Sequence, residues 1–243
     1  MVNTPPADDA GFRPDDSAAD WLMEWFGSYA QQFKSHDDDV HRNIVLKEEH
    51  THRVITEILD IGRELALPDA DMRIAWMIAL LHDVGRFEQY ARYRTFVDRH
   101  SENHAELGVK ILRSEGVLDS LDLRLSELIL RAIAYHNRPH LPQDEEEKCL
   151  FFSKLLRDAD KLDIWNILID YYQDNRKTRN NAMGLGLPES EDISADVYED
   201  LMNRRVVDST NVRNLNDLKL LQLGWVYEIN FQPTHRRILE RDY

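Results

Sequence analysis

The sequence predicts an all-α protein, and three observations carry that expectation. Only nine glycines occur in 243 residues, about 4% against an average of roughly 7%, which disfavours a turn-rich β architecture. None of the eight prolines falls inside a stretch of helical apolar periodicity. No segment alternates apolar and polar residues as a half-buried strand would.

Residues 1–16 carry Pro5, Pro6, Pro14 and the pairs Asp8-Asp9 and Asp15-Asp16, too little apolar area to offset the entropy of ordering, and are expected to form a disordered acidic tail. No linker divides the rest, so residues 17–243 are expected to form a single helical domain. Ser17 is the expected N-cap of a first helix, in which Trp21, Trp25, Tyr29 and Phe33 recur every fourth residue as one aromatic stripe, read as core packing. A second helix spans Ile44 to Ala66 and is ended by Pro68. A third begins at Asp69, which with Asp71 suits a helix N-terminus. It turns apolar on nearly all faces from Ile74 to Leu81, the mark of a buried helix. Gly85 is expected just past its end, as a left-handed terminating residue. A fourth helix runs from a Ser101 cap to Gly116, a fifth from Asp122 to His136, and a long sixth from Lys148 to Tyr172. Asn175 to Glu191 is polar and reads as a loop; helices over Ser194 to Arg205, over Asn216 to Ile229 and after Pro233 complete the chain. The metal-binding core is expected over residues 44–172.

Charge narrows the choice of partner. Lys and Arg number 30 against 45 Asp and Glu, a formal charge of −15. The resulting field opposes nonspecific contact with duplex nucleic acid or an anionic membrane, so the expected partner is a small phosphorylated molecule bound locally. No apolar run reaches the roughly 18 residues of a bilayer span, and the N-terminus lacks the features of a signal peptide, so a cytoplasmic protein is expected. The lone Cys149 excludes an internal disulfide and a cysteine-based zinc site. A homodimer is left open.

Nine of the ten histidines lie between His36 and His140. His82-Asp83 closes the most hydrophobic helix, where an unpaired ionised carboxylate is strongly disfavoured and needs a partner such as a divalent cation. Two histidines and two carboxylates from separate helices make a nitrogen and oxygen site suited to Mn, Fe, Co, Ni or Zn. The further ligands come from His50 or His52 on the second helix and from Asp158 or Asp160 on the sixth.

From about His50 to Asp163 the sequence resembles the HD-domain metal-dependent phosphohydrolases. His50-Thr51-His52-Arg53-Val54 resembles that family's opening His-x-x-Arg-Val, which selects His50. Leu80-Leu81-His82-Asp83-Val84-Gly85 matches the defining dyad with its apolar lead-in and glycine. Asp158-Ala159-Asp160-Lys161-Leu162-Asp163 is similar to the closing Ala-Asp-x-x-Asp. The resemblance implies a helical bundle with His50, His82, Asp83 and Asp160 as metal ligands, and with Asp158 orienting a ligand or a water. His104-Ala105-Glu106-Leu107-Gly108 resembles a His-x-x-x-Gly element of a subset of the family, and His136 lies where that subset carries another histidine. There these residues bind a second metal or act on the substrate phosphate. The implied activity is hydrolysis of a phosphate ester or anhydride of a nucleotide or small phosphorylated metabolite. It uses one or two divalent ions (Mn, Co, Ni, Fe, Zn or Mg) to activate water, with Asp83 next to that water as candidate proton acceptor. Lys161 is a candidate donor to the developing phosphate charge. Arg86, Arg92, Arg94 and His100 form a locally basic stretch that is a candidate substrate clamp, the alternative being that they pair with the excess of acids.

Departures narrow the branch. Arg86-Phe87 stands where guanosine-alarmone hydrolases carry Glu-Asp, and His136-Asn137-Arg138-Pro139 lacks the Gly-Tyr-Pro of cyclic-dinucleotide phosphodiesterases. The extended glycine and proline signature of deoxynucleoside triphosphate hydrolases is also missing. The rival readings are a non-catalytic HD protein that senses metal or ligand, and an oxygenase-like reaction at a di-iron site using His104 and His136. The intact ligand set favours an enzyme. The bland role for Arg53 is an ion pair, and for His36, His41, His140 and His235 solvation.

Overall fold

Helices make up the regular structure of the computed structural model, which describes residues 17–173, 180 and 182–241. They are α1 (Ser17–Phe33), α2 (Asp38–Glu64), α3 (Asp69–Leu81), α4 (Val84–Tyr93), α5 (His104–Ser114), α6 (Leu123–Tyr135), α7 (Glu147–Gln173), α8 (Ala195–Met202), α9 (Leu215–Gly224) and α10 (Gln232–Glu240). Short 3-10 turns lie at Asp98–His100, Ser209–Asn211 and Trp225–Glu228. No strand occurs among the described residues, as the sequence predicts. The expected tail, residues 1–16, lies outside the described residues.

The two long helices α2 and α7 pack along each other, with α3 against α2, α6 against α7, and α4 against α5. Every residue of α3 from Ile74 to Leu81 is buried, in keeping with its all-round apolar character. Its end therefore lies inside the protein, and whatever follows Leu81 is delivered to the interior.

Several elements depart from the sequence reading for identifiable reasons. The second helix starts at Asp38, not Ile44, because the Asp37 carboxylate accepts from the backbone N–H groups of Asp39 and Val40. Gly85 is no left-handed terminator; it lies in the first turn of α4, a helix absent from the sequence reading. The basic residues of that stretch obscured the buried spacing Val84, Phe87, Tyr90. The fourth predicted helix begins at His104, not Ser101, because the Asn103 side chain caps Ala105 and Glu106. Pro233 falls in the first turn of α10 instead of preceding the helix.

The aromatic stripe of α1 is only partly core. Its buried face is Ala19, Leu22, Phe26, Tyr29 and Ala30, while Trp21 is 44% exposed. Trp25 is half-buried, stacks on Tyr29 at 5.2 Å and donates its indole N–H to Glu115. Residues four apart drift by about 40° per step round a helix, so a four-membered stripe cannot stay on one face.

The segment after α7 caps the bundle. Val197, Val207, Val212, Leu215, Leu218 and Leu221 form a satellite apolar cluster, and Trp225 packs against both clusters. Trp165 on α7 donates to the Gln222 carbonyl, and Arg237 on α10 pairs with Glu64 of α2. No described helix is long and apolar enough to cross a membrane.

Candidate metal centre

Four histidines and two aspartates meet where α2, the α3–α4 junction, α5, the end of α6 and α7 converge. His82 and Asp83 form that junction, and their side chains are 0% and 4% exposed. His50 Nε2 lies 3.1 Å from Asp160 Oδ1 and 3.5 Å from Asp83 Oδ2. His82 Nε2 lies 3.6 Å from Asp83 Oδ2 and 3.9 Å from Asp160 Oδ1. On the other side of the same carboxylate, Asp83 Oδ1 is 3.5 Å from His104 Nε2 and 3.8 Å from His136 Nε2. Asp83 thus stands between two potential ligand sets, His50 with His82 and His104 with His136.

The other ring nitrogen sets each histidine's tautomer. His50 Nδ1 donates to Asp163 Oδ2 at 2.6 Å, and His82 Nδ1 to the Ala79 carbonyl at 2.8 Å. His104 Nδ1 donates to Asp98 at 2.8 Å, and His136 Nδ1 to the Ile133 carbonyl at 2.7 Å. Because these partners can only accept, each ring carries hydrogen at Nδ1 and aims Nε2 towards Asp83, where a neutral ring presents a lone pair. The Nε2 atoms of His50 and His82 are buried without a hydrogen-bond partner. Those of His104 and His136 face each other at 3.0 Å. Buried orphan acceptors and opposed lone pairs are costly by themselves, and a cation satisfies both. This donor set fits a divalent metal.

Charges in the cluster are strongly coupled to its burial. Burial and Lys47 act to lower the His50 pKa, but Asp160, Asp163 and Asp83 outweigh them and raise it to about 9. For Asp83, burial works upward, and Lys47 with His82 and His50 holds the carboxyl well below the usual range. Asp160 is likewise lowered, by His50 and His82 against its burial. Burial, reinforced by Arg86, pushes His104 down to about 4; burial and then His82 do the same to His136.

These shifts give a pH dependence for the metal-free protein. His104 and His136 are held neutral in the fold at about 4, against about 6.5 in an unfolded chain, so their contribution is present above about 6.5 and lost as pH falls through about 4. His50, raised to about 9, contributes fully below about 6.5 and so is constant across that window. Stability of metal-free protein is expected to fall from pH 6.5 towards 4 by up to roughly 2–3 kcal/mol per pH unit from these two histidines, with His82, also lowered by burial, acting in the same direction. Denaturant midpoints at pH 7, 6 and 5 check this, and a flat series would contradict it.

The expected ligands His50, His82, Asp83 and Asp160 are brought together, with His104 and His136 beside them. Other expected residues are placed elsewhere. Lys161 Nζ is buried and paired with Glu228 at 3.0 Å. Asp158 accepts from the backbone N–H groups of Asn230 and Phe231 and so anchors the C-terminal segment. Arg92 pairs with Glu88, Arg94 with Asp37, and His100 is exposed. Arg86 alone of the basic stretch approaches the cluster, its Nε 3.6 Å from Asp83 and its Nη1 bonded to Gln89, the Phe96 carbonyl and Asp98.

Three residues were missed. Lys47, one turn before His50 on α2, places Nζ 2.6 Å from Asp83 Oδ2. Asp98 orients His104 and also receives Asn137 and Gln89. Asp163 holds both His50 and Arg53, the latter at 2.6 Å. Asp163→Ala removes the acceptor that fixes the His50 ring, and metal affinity is expected to fall by about 10- to 100-fold. Competition with a chromophoric chelator measures this; unchanged affinity would remove Asp163 from the site.

The HD-domain family model matches residues 48–165, a span that contains all six clustered side chains. Searches of curated proteins and of solved structures gave no match to the chain.

Proposed function

The chain belongs to the HD-domain family, and from that premise we propose that it is a divalent-metal-dependent phosphohydrolase cleaving a phosphate ester or anhydride. The observation that carries this reading is the convergence of four Nε2 atoms on the two oxygens of one buried carboxylate, Asp83. His50, His82, Asp83 and Asp160 would hold one ion; Asp83, His104 and His136 would hold a second. When bound, divalent ions lower the pKa of water towards neutrality and polarise a phosphoryl oxygen.

The chain's own residues have distinct tasks. Asp83, kept ionised by Lys47, would serve both ligand sets and act as acceptor for the proton of an activated water. Lys47 and Arg86 line the cavity beside the cluster and take the role expected of Lys161, supplying positive charge where phosphate oxygens become more negative. Asp98 and Asp163 keep His104 and His50 in the required tautomers. Arg92, Arg94 and His100 have no part in this reading.

Metal-stripped protein, refilled in turn with Mn, Co, Ni, Fe, Zn or Mg and given a panel of nucleotides and other phosphate esters, tests it. Metal-dependent phosphate release is expected. Tight metal binding with no release from any compound would favour the sensing reading, and two irons per chain with oxygen consumption would favour the oxidative one.

A further inference from the structure

The cavity beside the cluster is chemically lopsided. It has a volume of about 540 Å³, within the range of roughly 300–1,000 Å³ typical of sites that enclose small molecules. Among the described residues its charged lining groups, Lys47, Arg86, Asp98 and Arg99, come from α2, α4 and the turn after α4. Among the described residues the walls beyond His50 are mostly apolar, with Ile164 and Ile167 from α7, Leu185 and Leu187 from the segment before α8, and Leu218 and Leu221 from α9, and they include Ser209, Thr210 and Gln222. Two of the polar groups in the lining are already engaged. The Gln222 side-chain oxygen accepts from Tyr172, and the Thr210 hydroxyl donates to Asp208.

A nucleoside would bring base edges and sugar hydroxyls into this region, and each buried polar group left unpaired there weakens binding. An apolar body gains from the same walls. We infer that the substrate is a phosphate ester of an apolar alcohol, with its phosphate at the His50–Asp83 end and its alkyl or prenyl-like body against Ile164, Ile167, Leu218 and Leu221. This inference rests on the phosphohydrolase reading and names its substrate class. Ile164 and Ile167 set specificity by contact with the body of the substrate and take no part in bond cleavage.

Calorimetric titration of manganese-loaded protein with methyl-, butyl- and octylphosphonate tests the inference by binding alone. Affinity is expected to rise with chain length, by up to about fourfold per methylene, which corresponds to about 0.8 kcal/mol. Octylphosphonate is expected to bind at least 10-fold more tightly than a nucleoside monophosphate. Ile167→Asn should flatten the series, and Ile167→Trp, which stays apolar but narrows the cavity, should lose octylphosphonate while keeping methylphosphonate. Equal affinity for methyl- and octylphosphonate, or tighter binding of the nucleotide, would overturn the inference and leave the phosphohydrolase reading standing. Failure of every phosphonate to bind, together with no phosphate release from any ester, would overturn both.

Discussion

Asp83→Ala is expected to lose bound metal and phosphate release together, with activity falling by at least roughly three orders of magnitude as the means of activating water disappears. The size of the effect follows from position. Asp83 Oδ2 serves His50 and His82, Oδ1 serves His104 and His136, and no other carboxylate in the cluster reaches both sides. The substitution also releases Lys47, whose ammonium would be left facing four imidazoles across a buried space. Metal content measured by elemental analysis beside phosphate release checks the expectation. A variant that keeps its full metal content while losing activity would make Asp83 a proton carrier and not a ligand.

Gly85→Ala is expected to destabilise the protein by about 3 kcal/mol or more, the upper end of overpacking costs. A Cβ on Gly85 would lie 2.1 Å from the His104 carbonyl oxygen and 2.7 Å from the Gly108 amide nitrogen, and both are backbone atoms that move only if a helix moves. Relief would push α5 away from α4, carrying His104 away from Asp83. Stability and metal affinity should therefore fall together. Gly27→Ala on α1 is the matched control, because nothing lies within 4 Å of its added Cβ, and it should stabilise by roughly 0.5–1 kcal/mol. Denaturant unfolding of the two variants separates the steric effect from helix propensity; equal stabilities would contradict it.

The ligand set was legible because its signals are local. A buried helix that ends in His-Asp announces itself through residue type and position, whereas the choice of His50 over His52 and of Asp160 over Asp158 came from the resemblance to the HD-domain family. The orienting residues were harder, although helix geometry held part of the answer. Asp163 follows Asp160 by three residues and shares its face, whereas Asp158 stands about 200° away and Lys161 about 100° away. The structure agrees, turning Asp158 to Asn230 and Lys161 to Glu228 while Asp163 reaches His50. Lys47 could have been found in the same way, three residues before His50. Asp98 could not, since its link to His104 depends on how the turn at Asp98–His100 folds back over α4. The basic stretch misled because charge alone does not say which guanidinium turns inward. Arg86 does so because it lies three residues after Asp83 and lines the cavity, while Arg92 and Arg94 end on the outer surface. The cavity's aliphatic wall was illegible because it joins α7 to segments that packing alone brings beside it.

Anomalous diffraction from crystals of the protein loaded with manganese tests most directly whether the histidine and aspartate cluster is a metal centre. The expected result is a peak bounded by His50 Nε2, His82 Nε2, Asp83 and Asp160, with a second bounded by Asp83, His104 and His136. Manganese found only at surface carboxylates, with Lys47 still bonded to Asp83 and no density among the four imidazoles, would contradict it.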